Sequence, residues 1–590
     1  MKMVYNIYGN YLTERMMQPL KTYFGYITPY KGRIAVGLTI KFIGTIMDLC
    51  LPWILSYMID DVVPQKNVGL IVFWGVMMLL CAVAAVTTNI GANRMASKVA
   101  RDSTERIRYD LFKKTLSLSA RKTDEFSIPS LISRLTSDTY NVHHMTGMMQ
   151  RLGVRAPILL IGSVFITLIM EPVLALIMLA ALPLVAAILI LVSKKGIPLY
   201  TKQQEATDDL VRTVRENYSG IRVIKALSRT DYEKSRFDKT NGELVKREKK
   251  AGITMAVMSP GMNIVLYGAL TLIVFAGAVR VNLGVSQVGK IVAFTSYFTI
   301  ISNSLMMINR MFTNFSKGCA SARRICEVLD CTDEMFVAEP DVKQTGNHID
   351  FENVSFSYDG QTPVVSDISF SLKKGETLGI IGKTGCGKST LMSLLMRFYD
   401  VDSGCVRING EDIKGIQPER LKSMFGVVFQ NDFLMSGPIR ENIAFGRDIS
   451  DENIQKAAEW ARAMEFISAL DKGFDADLAA KGNNFSGGQK QRMLIARALA
   501  GDPEILILDD SSSALDYKTD AELRRQIASR KGEMTTIIIA QRISSISSAG
   551  LILVMDEGKI IGSGTHEQLL ESCPMYAEIN EIQMGEAMVS

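Results

Sequence analysis

The chain has 590 residues, enough for three or more average domains. Hydrophobic residues make up 47% and the mean hydropathy is +0.15, both high for a soluble protein, so membrane spans are sought first. The net charge is +5, and the eight cysteines are scattered without a CxxC pair, which argues against a disulfide framework or a zinc site.

The first segment, 1–32, lacks the apolar core of a secretion leader and is expected to be none. Within it Gln18–Tyr30, with its aromatics and Lys21, reads as a short helix at a membrane interface. A six-span region, 33–315, follows. Leu70–Asn93, Val173–Ser193, Gly252–Val279 and Ile291–Asn309 contain no charged residue. Ile34–Ile59 carries Lys41 and Asp48, and Thr146–Met170 carries Arg151 and Arg155. The short loops hold few Lys or Arg, while Arg94–Val142 and Lys194–Ala251 are rich in both. The positive-inside rule makes those long segments and both termini cytoplasmic. Most of the net charge is then this bias, which disfavours a nucleic-acid face. The long connections read as extensions of the spanning helices, each interrupted by a short transverse helix, near Ser127–Ser133 and near Asn217–Val223.

Lys41 and Asp48 lie seven apart on one helical face, as intramembrane charges facing a cavity do. In the sixth span Thr295, Thr299, Ser302, Ser304 and Asn309 form a polar side beside Met306 and Met307. Interhelical hydrogen bonding and contact with a substrate account for it equally; Met adapts readily to varied shapes. Residues 316–347 form a linker: Lys317–Asp330 reads as a helix leaving the membrane, and Cys331–Asn347 is polar and broken by Pro340. From His348 to Ser590 the pattern alternates strand, turn and helix, an α/β domain.

That domain carries the chemistry. A strand at Thr377–Ile381 runs into Gly382, Lys383, Thr384, Gly385, Cys386, Gly387, Lys388, Ser389 and Thr390, which open an apolar helix. This is a phosphate-binding loop in its required strand-to-helix setting. Its glycines turn backbone N–H groups inward, Lys388 would reach the β- and γ-phosphates of ATP, and Ser389 would ligate Mg2+. A second apolar strand, Ile505–Leu508, ends in Asp509, a carboxylate placed to hold magnesium directly or through a ligand, followed by Asp510 where a water-activating acid belongs.

"NNFSGGQKQRMLIARAL" (Asn483–Leu499) strongly resembles the signature motif of ATP-binding cassette (ABC) proteins in Ser486, Gly487, Gly488 and Gln489. Tyr358 in "FSYDG" matches that family's adenine-stacking aromatic. Gln430 in "VVFQND" matches the glutamine that links the nucleotide, and its Mg2+, to the membrane domain, and Asp516 in "SSSALD" the loop that reaches a partner. "GIRVIKA" (Gly220–Ala226) is similar to the second cytoplasmic coupling region of exporters. The resemblance covers nearly the whole chain. It implies a type IV exporter-like half-transporter, a six-span α-helical membrane domain fused to an α/β P-loop NTPase domain. Two cassettes then close head to tail, each ATP lying between one phosphate loop and the other chain's signature.

Two departures fall in one nucleotide site. The family's catalytic Glu is Asp510 here, one methylene shorter, and its switch His is Gln541, which hydrogen-bonds but cannot be protonated. Ala480 stands where a coupling Glu is usual. Drift accounts for either substitution singly; together they read as lost selection for hydrolysis at this site. The intact signature and Asp516 would serve the opposite site, which points to a heterodimer whose partner supplies Glu and His. The expectation is a bacterial plasma-membrane exporter of small amphipathic molecules such as drugs, lipids or peptides. An importer of exporter-like fold and a non-pumping ATP-gated regulator are the other readings.

Overall fold

The computed structural model describes residues 21–332, 337–339, 341–344, 346–511, 515–529 and 532–589. Gln18–Leu20 of the expected interfacial helix and Ser512–Ala514 of the loop before Asp516 lie outside the described residues, as do the side chains of Asn309 and Ala480. The chain divides into two compact units. One comprises residues up to Leu116 with Pro129–Cys331; the other comprises Ser117–Ile128 with Thr332 onward.

The first unit is helical. Its long elements are α1 (Lys31–Tyr57) and α2 (Val68–Ser117). In the second unit lies the short α3 (Ala120–Phe126), after which the first unit resumes with α4 (Thr139–Met170) and α5 (Pro172–Ser219). A second short helix, α6 (Ile221–Ala226), leads to α7 (Thr230–Ala256), α8 (Met258–Asn282) and α9 (Val288–Leu329). Six of these helical stretches are long and apolar enough to cross a membrane. Helix geometry explains the long basic connections. The 50 residues of α2 extend about 75 Å, against a hydrocarbon core of about 30 Å. More than half of that helix must therefore lie outside the bilayer. Only 6% of its apolar window is buried within the chain, so the hydrophobicity there suits an environment beyond the chain itself.

Two expectations shift. Lys21–Tyr30 is no separate surface helix: it is helical and continues into α1. Its aromatics are tied down, with Tyr23 Oη 2.7 Å from Thr146 Oγ1 and Tyr26 Oη donating to Asp110 at 2.9 Å. The first transverse helix is α3, a few residues ahead of Ser127–Ser133. The Ser119 hydroxyl accepts from the Lys122 N–H to start it, and Ser127 at φ +61° ends it. Ile128–Ser133 instead opens the helical run into α4. Elsewhere α9 packs along α4, where buried Asp138 accepts from Ser321 Oγ and Arg324 Nε, each at 2.8 Å.

In the second unit, β1 (Ile349–Phe356), β2 (Val365–Leu372) and β4 (Ser403–Ile408) form an antiparallel sheet in the order β2-β1-β4, extended by a two-residue strand at Glu411–Asp412. The main sheet contains β3 (Thr377–Gly382), β5 (Phe425–Val428), β6 (Ile505–Asp509), β7 (Thr535–Ile539), β8 (Leu551–Asp556) and β9 (Lys559–Gly564), in the order β9-β8-β3-β7-β6-β5. All neighbours but β8–β9 are parallel. Every residue of β6 is buried, which is why "ILILD" shows no alternation of polar and apolar residues.

His348 sits beneath this sheet with its side chain fully buried. Its Nδ1 lies 2.6 Å from Thr535 Oγ1, which also accepts from the Gly375 N–H at 3.0 Å. Burial pushes the His348 pKa below its ordinary value, outweighing nearby Glu504. The unfolded chain then binds the proton more readily, so stability is complete above the unfolded pKa of about 6.5 and falls as pH drops through it. The unfolding temperature of this unit is expected to fall between pH 7.5 and 5.5 in calorimetry, and His348→Gln to flatten that slope.

Candidate nucleotide site

The parallel strands bring their carboxyl ends level. Ile539 pairs with Ile380 on one side and Asp509 on the other, and Val428 pairs with Leu508. Residues just past those pairs, from Gly382, Gln430, Asp510 and Gln541, therefore emerge on one edge, where open α/β sheets hold ligands. A cavity of about 160 Å³ opens there, lined by Thr384, Gly385, Gly387, Lys388, Ser389, Thr390, Gln430, Asp509, Asp510 and Gln541, with Val364, Ile539 and Ala540.

The loop is shaped by its glycines at two points. Gly387 caps helix α10 (Lys388–Leu395) at φ +99°, and a Cβ there would sit 2.9 Å from the Val364 carbonyl oxygen. Gly385 adopts φ +85°. Lys388 Nζ folds back to donate to the carbonyls of Gly382 (2.9 Å) and Lys383 (2.8 Å). Cys386 is buried in the core below the loop, and the Lys383 side chain is largely exposed, 3.9 Å from Asp556. Tyr358 flanks the loop with Oη 3.1 Å from Thr390 Oγ1 and packs edge-on against Tyr399.

Ser389 Oγ donates to Asp509 Oδ2 at 2.8 Å. Burial raises the Asp509 pKa, opposed by that bond and by Lys388. These are hard oxygen donors that fit Mg2+, which takes one or two protein ligands and completes its shell with phosphates and water. Among the described residues no group of three or more acidic, Cys or His side chains forms a metal cage. Asp510, at φ +49°, turns away from the strand, and its Oδ2 accepts from Gln541 Nε2 at 3.0 Å. Left-handed backbone is tolerated by Asp better than by Glu. Burial, then the neighbouring Asp509, pushes the Asp510 pKa up.

Residues 34–305 match the ABC transporter transmembrane region and residues 365–513 match the ABC transporter domain. The Bacillus subtilis ABC transporter ATP-binding protein YfiB is 34% identical over 562 residues, covering 95% of this chain and 98% of the relative. The chain belongs to the ABC transporter family. An ATP-dependent lipid A-core flippase of Pseudomonas fluorescens is 32% identical, with 96% of this chain and 97% of that one covered. In fold, the chain is similar to a bacterial Atm1-family ABC exporter solved with ATP bound, at a TM-score of 0.79 and 23% identity, over 94% of this chain and 98% of that chain. The protein is thus a multi-pass half-transporter of exporter fold with an ATP-binding domain, and exporter half-transporters of this kind work as dimers.

Other residues of this ABC half-transporter lie apart from the cavity. Ser486 caps α11 (Gly487–Leu499) in a capping box with Gln489. Asp516 caps the helix Tyr517–Ala528, and its pKa is lowered chiefly by a hydrogen bond from Thr519. None of Ser486, Gly487, Gly488, Gln489 or Asp516 lines the cavity among the described residues. In the membrane unit Lys41 and Asp48 do not pair with each other: Lys41 donates to Asn93 at 3.0 Å, and Asp48 pairs with Arg155 at 2.9 Å. The hydroxyls on the polar side of α9 donate within the helix and keep their oxygens as acceptors. Thr295, Thr299 and Ser302 each donate to the carbonyl four residues back in the same helix, while Met306 is exposed.

Two residues escaped sequence reasoning because no local motif marks them. Gln583 holds the Gln541 loop, donating to the Gln541 carbonyl and accepting from the Ile543 N–H, each at 2.8 Å. Tyr399 donates to Asp124 of α3 at 2.5 Å while packing on Tyr358, and burial followed by Asp124 pushes its pKa up. Ser389→Ala is expected to lower the nucleotide-free unfolding temperature. Buried Asp509 then loses a donor, at a cost of about 1–3 kcal/mol; an unchanged temperature in calorimetry would show that the bond contributes nothing.

Proposed function

We propose that this chain is one half of a heterodimeric ATP-driven exporter, binding ATP durably in its own pocket and helping its partner's pocket hydrolyse it. The observation that carries this reading is the Asp510–Gln541 hydrogen bond, set in a pocket whose binding groups are all in place. A Glu carboxylate would extend about 1.5 Å further, one C–C bond. Asp510 is set back by that length, and its outer oxygen already accepts an amide proton. Gln541 carries no titratable group. Loss of a positioned base costs roughly 10²- to 10⁴-fold in rate.

Binding rests on other groups: Tyr358 for the base, the Gly382–Thr390 loop and Lys388 for the phosphates, and Ser389, Asp509 and Gln430 toward Mg2+. When bound, Mg2+ neutralises charge on the phosphates. Ser486–Gln489 and Asp516 are assigned to the partner's ATP, in keeping with their place outside this cavity. Residues 33–315 form the membrane domain, 316–347 the linker and 348–590 the nucleotide-binding domain. Cytoplasmic placement of the last follows from the basic long connections, and a bacterial plasma membrane from the organisms of the relatives. The cargo is a small amphipathic molecule whose path includes Lys41, Asp48, Thr295, Thr299, Ser302 and Met306. The flippase relative supports outward movement.

The purified chain alone is expected to hydrolyse ATP at least about 10²-fold more slowly than the chain with its partner. Asp510→Glu with Gln541→His should recover much of the difference. Robust turnover by the lone chain, abolished by Asp510→Asn, would sink this reading. Cargo accumulation in inside-out vesicles marks export, depletion marks import, and ATP binding without cargo movement marks a gate.

A further inference from the structure

The membrane unit holds more positive charge than its own carboxylates neutralise. On α1, Lys41 and Asp48 flank Gly44, where a Cβ would lie 2.5 Å from Thr88 Oγ1, so α2 approaches α1 closely there. Two asparagines one turn apart on α2 meet the two charges. Asn93 Oδ1 accepts from Lys41 Nζ at 3.0 Å, and Asn89 Nδ2 lies 3.4 Å from Asp48 Oδ2. From α4, Arg155 Nη2 donates to that same carboxylate oxygen at 2.9 Å. Asp48 is thereby committed to Arg155. Lys41, only 2% exposed, has a neutral amide as partner. Arg151, one turn before Arg155, donates Nε to the Gly147 carbonyl at 3.2 Å and has no carboxylate partner among the described residues.

Three cations thus face one anion. Lys41 lies about 10 Å, and Asp48 about 21 Å, inside the apolar stretch that opens at Ile34, at 1.5 Å per residue. Charge at such depth is costly and marks function where it persists. A purely structural ion pair would be neutral, one cation for one carboxylate, and this cluster is not. The Nε of Arg155 and the Oδ1 of Asn89 are also buried without hydrogen-bond partners, leaving a donor and an acceptor unused beside the charge excess.

We infer that Lys41 and Arg151, beside the Asp48–Arg155 pair, bind an anionic group, phosphate or carboxylate, carried by an amphipathic cargo. This rests on the reading that these spans line the transport path. Asp48 then fixes Arg155 and limits the excess to two charges, Asn93 orients the Lys41 ammonium, and the cargo's anion neutralises what remains.

The test needs no hydrolysis and so stands apart from the assignment of the ATP sites. The full chain in phosphatidylcholine nanodiscs is titrated with dodecyl phosphate, dodecyltrimethylammonium or inorganic phosphate, and binding is read from tryptophan fluorescence and the unfolding temperature. Dodecyl phosphate should bind at least tenfold more tightly than either other probe. Lys41→Met with Arg151→Met should erase its advantage over the cation, while Asp48→Asn, which frees Arg155, should raise dodecyl phosphate affinity severalfold. Equal affinity for the two dodecyl probes in the unaltered chain overturns the inference without any variant. Persistence of the preference in a folded double variant, or lower affinity in Asp48→Asn, also overturns it. Inorganic phosphate binding as tightly as dodecyl phosphate overturns the assignment to a cargo.

Discussion

The register of three parallel strands is the constraint on which the nucleotide site depends. Ile539 faces both Ile380 and Asp509, and that alignment fixes where β3, β6 and β7 stop. Because every residue of β6 is buried, a one-residue slip would either carry Asp509 into the core or bring Leu508 to the edge in its place. The loop, the metal-facing acid and the Gln541 turn are thus set at a common height by hydrophobic packing several residues below them. Gln583 then secures the Gln541 turn from the C-terminal helix, and the Gln541 side chain, though exposed, meets Asp510.

That meeting gives the paired substitution a physical meaning. Asp510 occupies left-handed backbone, a conformation an Asp tolerates more easily than a Glu. In the proposed function the shorter acid suits the strand end locally and keeps the carboxylate short of where a base must reach. Gln541 then donates to it through an amide that does not itself titrate. Asp509 is a separate matter one residue earlier: its partner is Ser389, and nothing about the Asp510–Gln541 bond disturbs it.

How much of this was legible in the sequence differs by element. The spans were legible because charge-free runs of bilayer length have few other uses, and the helical extensions because their charge begins where the apolar run stops. The phosphate loop was legible because glycine spacing, strand and helix coincide. Tyr399 and Gln583 were not, since each acts through long-range hydrogen bonds that leave no spacing to read. The first transverse helix was placed too late because its limits are set by a serine cap and one left-handed serine, weak signals in a polar stretch. On α9 the hydroxyls of the polar stripe each donate to their own backbone, a local choice that composition does not record.

The charges of the membrane unit show where such reading ends and geometry begins. Periodicity placed Lys41 and Asp48 on one face, and the simplest inference from opposite charges there is mutual pairing. The structure separates them. Gly44 admits α2 between the two levels, Asn93 and Asn89 take one charge each, and Arg155 from α4 claims the carboxylate. A neutral pair would have closed the matter as packing. A lysine left with an amide, and an arginine one turn away left with a backbone carbonyl, cannot be accounted for by packing alone, because hydrocarbon offers them no counter-ion. In the inference drawn above the balancing charge comes from outside the chain, a transported anion that comes and goes with the cycle.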